Sequence, residues 1–403
     1  MALIASAIHG EDFAWEGGPD SSRRIIRESL ASLRSHLGMQ VAFVGRFAGG
    51  RRVFEYVDAD STFCPISPGQ SDALEETYCA RVVDGRIPEL IPDTARVAAL
   101  RDLDATWAVP VGSHMSVPMR GDDGQPFGTL CCFSNKSDAG LRERDLDVLR
   151  LFGDLIGRHM QFLIRHEQTT RPVCARIDKV LMRGGPRIAL QPIVNIDTGR
   201  TYGYEALSRF PSYGDWTPDR WFKEAGALGR GPALEISALR VAFALLSTLP
   251  AQTILSVNVS AHALFENPDI TTMFTGADST RLVLELTEHD QVQDYGRLSA
   301  LLAPVREAGA RVAVDDAGSG YAGLDHILQL RPEVLKLDRA LVQGIADHPG
   351  RQAMCQAMVG FTQKTGTMLV AEGVETEDDL VALRHLGVVY AQGFHLGRPT
   401  LPA

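Results

Sequence analysis

Residues 311–324, RVAVDDAGSGYAGL, end an apolar strand on two adjacent carboxylates, Asp315 and Asp316, and run into a loop with glycines at 318, 320 and 323. Other apolar runs carry the same kind of interruption. Glu205 stands between Tyr204 and Ala206, Asn258 between Val257 and Val259, Glu285 between Leu284 and Leu286, and Lys336 between Leu335 and Leu337. Glu372 and Gln392 close two further runs. Taken singly, Asp315-Asp316 would read as a strand end before an Asx turn, and Lys336 as a snorkelling surface lysine. Together they are not explained by packing, because an unpaired buried charge costs several kcal/mol. Five carboxylates and one lysine in one place need cations. The donors are all oxygens, which selects Mg²⁺ or Mn²⁺ over zinc. Asp315 is central enough to bridge two ions, and two ions suit phosphoester hydrolysis, where attacking and leaving oxygens both need stabilising.

The elements that position these groups are legible as eight strand-like segments from residue 186 onward: IALQPIV, YGYEALSRF, ILSVNVS, RLVLELTE, RVAVDDAG, EVLKLD, MLVAEGV and YAQGFHLG. Helix-sized stretches separate most of them, which predicts a (β/α)8 barrel. Side chains alternate faces along a strand, so apolar neighbours packed on helices send the polar residue between them to the barrel axis. These polar residues fall late in their strands and converge at the C-terminal face, where such barrels hold their active sites.

The chain has 403 residues, enough for two domains. Apolar residues make up 45% and charged residues 22%, ordinary for a globular protein. A net charge of −10 argues against a polymeric nucleic acid as partner, and an anionic substrate would need metal or a local basic group to hold it. Glu11 and Asp12 follow closely on a start with no basic region, which predicts no signal peptide. No apolar run is read as long enough to span a bilayer, and the six cysteines show no ligand spacing, which fits reduced thiols in the cytoplasm.

Residues 1–19 read as a tail and 20–165 as a mixed α+β domain. Residues 22–38 have helical periodicity. Two hairpins follow, one turning at Gly49-Gly50 and one at RGDDGQ. A stripe of Leu146, Leu149, Phe152, Leu155, Ile156, Met160 and Leu163 meets no breaker before Pro172. It either packs on its own sheet or leaves the domain to pair with a second copy. The segments ETYCARVVDGRIPELIPD and GSHMSVPM…DGQPFGTLCC resemble a GAF domain. That resemblance implies sensing of an unidentified small ligand, or dimerisation. Cys79 as a chromophore anchor and His114 as a haem or metal ligand are weaker readings than a buried thiol and an ordinary polar residue beside a strand.

From about residue 172 to the end, YEALSR, QPIV, SVNVS, LELTE, VDDAGSGYAGL, LKLDR, AEGVE and AQGFHLGRP closely resemble the EAL family of cyclic di-GMP phosphodiesterases. The resemblance implies a barrel over 172–403 whose first strand may run antiparallel, and hydrolysis of cyclic di-GMP to linear pGpG. It implies that Glu205, Asn258, Glu285 and Asp315 hold one metal and that Asp315 and Asp316 hold a second, with Glu372 beside it. Lys336 would position or activate the attacking water, supported by Gln392. Gln191 and Arg209 would contact substrate, Arg209 through a phosphate, and Glu288 would anchor the 316–324 loop. The catalytic set so implied is Lys336, Glu205 and Glu372. The chain departs from the family at Ala317 and Leu190, where aromatic residues are common, and it ends at Ala403 with little room for a closing helix, which leaves one barrel edge to be covered by a neighbour or by the first domain. A homodimer is expected. The rival readings are a non-catalytic cyclic di-GMP receptor and a GAF-driven signalling scaffold.

Overall fold

Alternating apolar residues in 41–59 and 113–134 build two hairpins that share one sheet. The computed structural model describes residues 18–60, 63–101, 103, 109–276, 278–287, 292, 294–317 and 323–402. The chain divides into two units, Met1–Thr170 and Arg171–Ala403.

In the first unit the strands are β1 (Val41–Ala48), β2 (Arg51–Ala59), β3 (Ser71–Ala73), β4 (Leu90–Ile91), β5 (Ser113–Arg120) and β6 (Pro126–Ser134). They form one antiparallel sheet in the order β3-β2-β1-β6-β5-β4. Gly49 and Gly50 both have positive φ, 56° and 74°, as a two-residue hairpin turn requires. The helix Gly18–Leu37 and the first part of the helix Glu143–Met182 cover one face. There Ile26, Leu30, Leu33, Leu146, Leu149, Ile156 and Met160 pack on Val44, Val117, Leu130 and Cys132. The stripe at 146–163 therefore packs on its own sheet. The helix does not stop at Pro172 but continues to Met182 with that proline inside it. On the other face Val41, Phe43, Phe54, Cys79, Cys131 and Phe133 form a second cluster, so the adjacent Cys131 and Cys132 point to opposite sides of β6.

In the second unit eight strands close into a barrel: β7 (Arg187–Asn195), β8 (Arg200–Arg209), β9 (Ile254–Asn258), β10 (Leu282–Thr287), β11 (Arg311–Ala317), β12 (Val334–Leu337), β13 (Met368–Ala371) and β14 (Tyr390–Ala391). Each overlaps one of the eight segments read from the sequence. β7 runs antiparallel to both neighbours, β8 and β14, and the other pairings are parallel. Leu255, Val257, Leu284, Leu286, Val312, Val314, Leu335 and Leu337 face outward into the helix layer. The edge expected to need a neighbour's cover is closed by the chain itself: β14 pairs with β7, and Thr400 exchanges both backbone hydrogen bonds with Leu190.

One stretch does pass the length and composition test for a membrane span, contrary to the sequence reading: 231–248, with mean hydropathy 1.2. It is a barrel helix and its 3-10 extension, with Leu239, Ala242 and Leu246 in the outer core.

Candidate active site

The barrel interior is stacked in two layers, and the strand period of two sets the stacking. Ile193, Ile254, Val283, Ala313, Val334 and Val370 form an apolar layer across the axis. Two residues further along the parallel strands stand Ser256, Glu285, Asp315, Lys336 and Glu372. On the antiparallel β7 the order reverses, so Gln191 precedes Ile193 by two. Gln191 and Glu205 are register partners, and Glu205 also pairs with Ser256. The second layer is therefore polar, and Gln191, Glu205, Ser256, Glu285, Asp315, Lys336 and Gln392 are buried in it.

Lys336 is the hub, with 1% of its surface exposed. Its Nζ lies 2.7 Å from Glu372 Oε1, 3.0 Å from Glu285 Oε2, 3.1 Å from Asp315 Oδ1 and 3.5 Å from Glu205 Oε2. The lysine that sequence reading assigned to the attacking water thus also contacts four carboxyl groups. Ser256 donates to Glu285 Oε1, Asn258 Nδ2 donates to Glu205 Oε1 at 3.1 Å, and Gln392 Nε2 donates to Glu205 Oε2 and, at 3.2 Å, to Gln191 Oε1. The Gln191 amide in turn donates to the Gly397 carbonyl at 3.2 Å.

Asp315 and Asp316 should point to opposite faces of an ordinary strand. A bulge prevents this. Val314 pairs with Leu335 and Ala317 with Leu337, so three steps on β11 match two on β12. Asp316 takes the left-handed conformation at φ 57°. The extra residue lets both carboxylates serve the same mouth. Oxygens of Asp315, Asp316 and Glu372 lie within 4.8 Å of one another, as do oxygens of Glu205, Glu285 and Asp315. The two triads share Asp315. All six ligand positions are oxygens, and one shared carboxylate between two oxygen triads fits a pair of hard divalent cations.

Charge crowding shows in the titration of the site. Burial, then the charges of Glu205 and Asp315, push Glu285 up to about 8 against the pull of Lys336. Burial and the neighbouring Asp315 and Asp338 push Asp316 up to about 7. Glu372 is also raised, chiefly by burial. Lys336 is held protonated: burial favours its neutral form, but Asp315, Glu205, Glu285 and Glu372 outweigh it.

A cavity of about 450 Å³ lies beside Asn258, lined by Arg209, Leu207, Pro218 and Phe222 and also by Val257, Leu239 and Ala242 of the outer core. Arg209 also borders a larger groove whose other cations are Arg176, Lys179, Arg183 and Arg187, with no carboxylate side chain among the described residues that line it. The structure thus brings together Glu205, Asn258, Glu285, Asp315, Asp316, Lys336, Glu372, Gln191 and Gln392, and sets Arg209 at the cavity beside them. Glu288 and the loop at 318–322 lie outside the described residues. Sequence reading missed Ser256 and Asp338. Strand alternation could have found Ser256, which sits two after Ile254. Asp338, the N-cap of the short helix Arg339–Val342, carried no signal that it would also face Asp316.

Comparison with known proteins agrees with this architecture. The profile of the EAL domain matches residues 176–399, and that of the GAF domain matches residues 20–161. A cyclic di-GMP phosphodiesterase of Pseudomonas aeruginosa is 32% identical over 228 residues, which are 54% of this chain and 39% of that protein. The oxygen sensor protein DosP of Escherichia coli is 27% identical over 57% of this chain and 30% of its own length. The chain therefore matches well under half the length of these curated relatives. Among solved structures, the EAL domain of Xanthomonas citri FimX, in complex with c-diGMP, superposes with a TM-score of 0.52 at 21% identity, covering 59% of this chain and 97% of that one. An EAL domain protein from Listeria monocytogenes gives a TM-score of 0.51 at 22% identity, over 57% and 94%. Both share the fold.

Proposed function

The chain belongs to the EAL-domain family, and on that premise we propose that its barrel is a divalent-metal-dependent phosphodiesterase opening cyclic di-GMP to linear pGpG, under the control of its GAF domain. One observation carries the reading: two oxygen triads that share Asp315, one buried in the polar layer and one half-buried at its mouth. The 32% identity to a protein named as a cyclic di-GMP phosphodiesterase supports the substrate.

Glu205, Asn258, Glu285 and Asp315 would hold one Mg²⁺ or Mn²⁺, and Asp315, Asp316 and Glu372 the other. When bound, such ions supply Lewis-acid polarisation of the phosphoryl oxygens and a nucleophilic water at neutral pH. The chain's own groups do the rest. With cations in place, Glu205, Glu285, Asp315 and Glu372 would be shared between them and Lys336, and the Nζ donors of Lys336 would be free to orient a water beside Glu372. Gln392 fixes the Glu205 carboxylate and ties it to Gln191. Arg209 offers a fork to a non-bridging phosphate oxygen, and Phe222 and Pro218 give the cavity a flat apolar wall for a guanine. The cation-lined groove beyond Arg209 is the local basic surface that an acidic chain needs to draw in an anion. A homodimer and a cytoplasmic setting complete the proposal.

The test is incubation of the full chain with cyclic di-GMP and Mg²⁺ or Mn²⁺, with EDTA and Glu205→Ala as controls, and separation of products. Metal-dependent pGpG that disappears in both controls is expected. Tight binding of cyclic di-GMP with no pGpG under any metal would replace the enzyme with a receptor.

A further inference from the structure

The first unit contains a buried reactive group that the barrel chemistry does not use. On the sheet face away from the two helices, Cys79, from the helix Tyr78–Val83, meets Cys131 of β6 with 3.6 Å between sulfurs. Both thiols are fully buried. Arg52 of β2 reaches in beneath them and donates from Nη1 to Cys79 Sγ at 3.4 Å. Its other terminal nitrogen pairs with Asp72, and its guanidinium lies over the Phe54 and Phe43 rings, 4.1 and 5.4 Å from their centroids. Arg52 Nε is buried with no hydrogen-bond partner. Ser116 Oγ and Thr129 Oγ1 flank Cys131 Sγ at 3.1 and 3.3 Å.

An ordinary buried thiol has apolar neighbours and is inert. This one has a cation and a second thiol. The hydrogen bond with Cys131, opposed by burial and aided by Arg52, lowers the Cys79 thiol to about 5, while burial pushes Cys131 well up. The guanidinium hydrogen bond falls on Cys79, which places that sulfur to act as the nucleophile.

We propose that Cys79 and Cys131 are a two-electron redox site in the GAF domain, closed to a disulfide by hydrogen peroxide. The Cys79 thiolate attacks one peroxide oxygen; the S–O bond forms, the O–O bond breaks, and the departing hydroxide takes a proton to become water. Cys131 then attacks the sulfenic sulfur of Cys79; the S–S bond forms, the S–O bond breaks, and the oxygen leaves as water with the thiol proton. Two thiols are oxidised and one peroxide is reduced to two waters. The sulfurs need to close by about 1.5 Å to reach bonding distance. Burial restricts the oxidant to an uncharged molecule hardly larger than water.

The experiment treats the full chain with hydrogen peroxide, unfolds it in N-ethylmaleimide and maps the peptides without reduction. A Cys79–Cys131 cross-linked peptide, abolished by dithiothreitol, is expected. Cys131→Ser should leave Cys79 as a sulfenic acid that dimedone traps. Arg52→Met should slow closure at least about tenfold through loss of thiolate, and Arg52→Lys, which keeps a charge, should recover part of it. A bulky aromatic disulfide should leave the folded pair untouched. Recovery of both cysteines as alkylated thiols, while the exposed Cys64 is oxidised, overturns the proposal. Closure in Arg52→Met at the wild-type rate overturns the role of the guanidinium, and equal attack by the bulky reagent overturns the restriction to a small oxidant.

Discussion

Lys336 carries the sharpest consequence at the scale of single residues. Four carboxylates surround one ammonium, and removing a partner from a buried ion cluster costs about 3–5 kcal/mol. Lys336→Met should therefore lower the metal-free chain's stability by roughly 3 kcal/mol in a denaturant titration. Saturating Mn²⁺ should restore most of that loss but not the activity, which should fall at least about a hundredfold. The same crowding fixes a pH dependence. Folded Glu285 keeps its proton up to about pH 8, against an ordinary value of 4.5. The folded state therefore holds more protons than the unfolded state between those values, and the metal-free chain loses stability as pH rises through that window. Ions that replace the protons reverse the trend. Denaturation midpoints in EDTA should fall from pH 5 to pH 8, whereas midpoints in Mn²⁺ should not.

At the scale of elements, the bulge on β11 separates what the sequence shows from what it hides. Glu205, Glu285, Lys336 and Glu372 are legible because each interrupts or ends an apolar run, and strand alternation then dictates the face it takes. Ser256 obeys the same rule and is missed only because a small hydroxyl among apolar residues looks unremarkable. Asp316 breaks the rule. Nothing in a single sequence marks the extra residue that turns it toward Asp315, and nothing marks Asp338 as its neighbour. The hub role of Lys336 is hidden for a related reason: four separate strands meet there only once the barrel closes. Asp316 also holds a left-handed backbone beside two other carboxylates, which costs of order 1 kcal/mol or more. Asp316→Gly should therefore leave the metal-free chain as stable or up to about 1 kcal/mol more stable, while pGpG formation falls to a small fraction. A clear destabilisation by this change would mean that Asp316 supports the loop rather than a cation.

At the scale of the whole molecule, two units with separate cores should respond differently to ligands. Cations at the barrel mouth stabilise by about 2.7 kcal/mol at a hundred times their dissociation constant. In calorimetry that should raise the barrel's transition by roughly 5–10 °C and leave the GAF domain's transition in place. The hairpins and helix of the GAF domain are legible from their turn glycines and periodicity. Its buried Arg52 is not, because an arginine in an alternating strand reads as a surface residue until a thiol is found against it.

The apolar layer beneath the carboxylates has a kinetic meaning. Among the described residues, Ile193, Ile254, Val283, Ala313, Val334 and Val370 close the barrel axis beneath the polar layer, so that layer is reached from the mouth. On the proposed function, ions, water, substrate and product would all pass that way. A cyclic dinucleotide seated in the mouth would cork the path to the ion positions behind it. If the barrel is the proposed phosphodiesterase, ions should load first and the nucleotide second, and the opened product should leave before depleted ions are replaced.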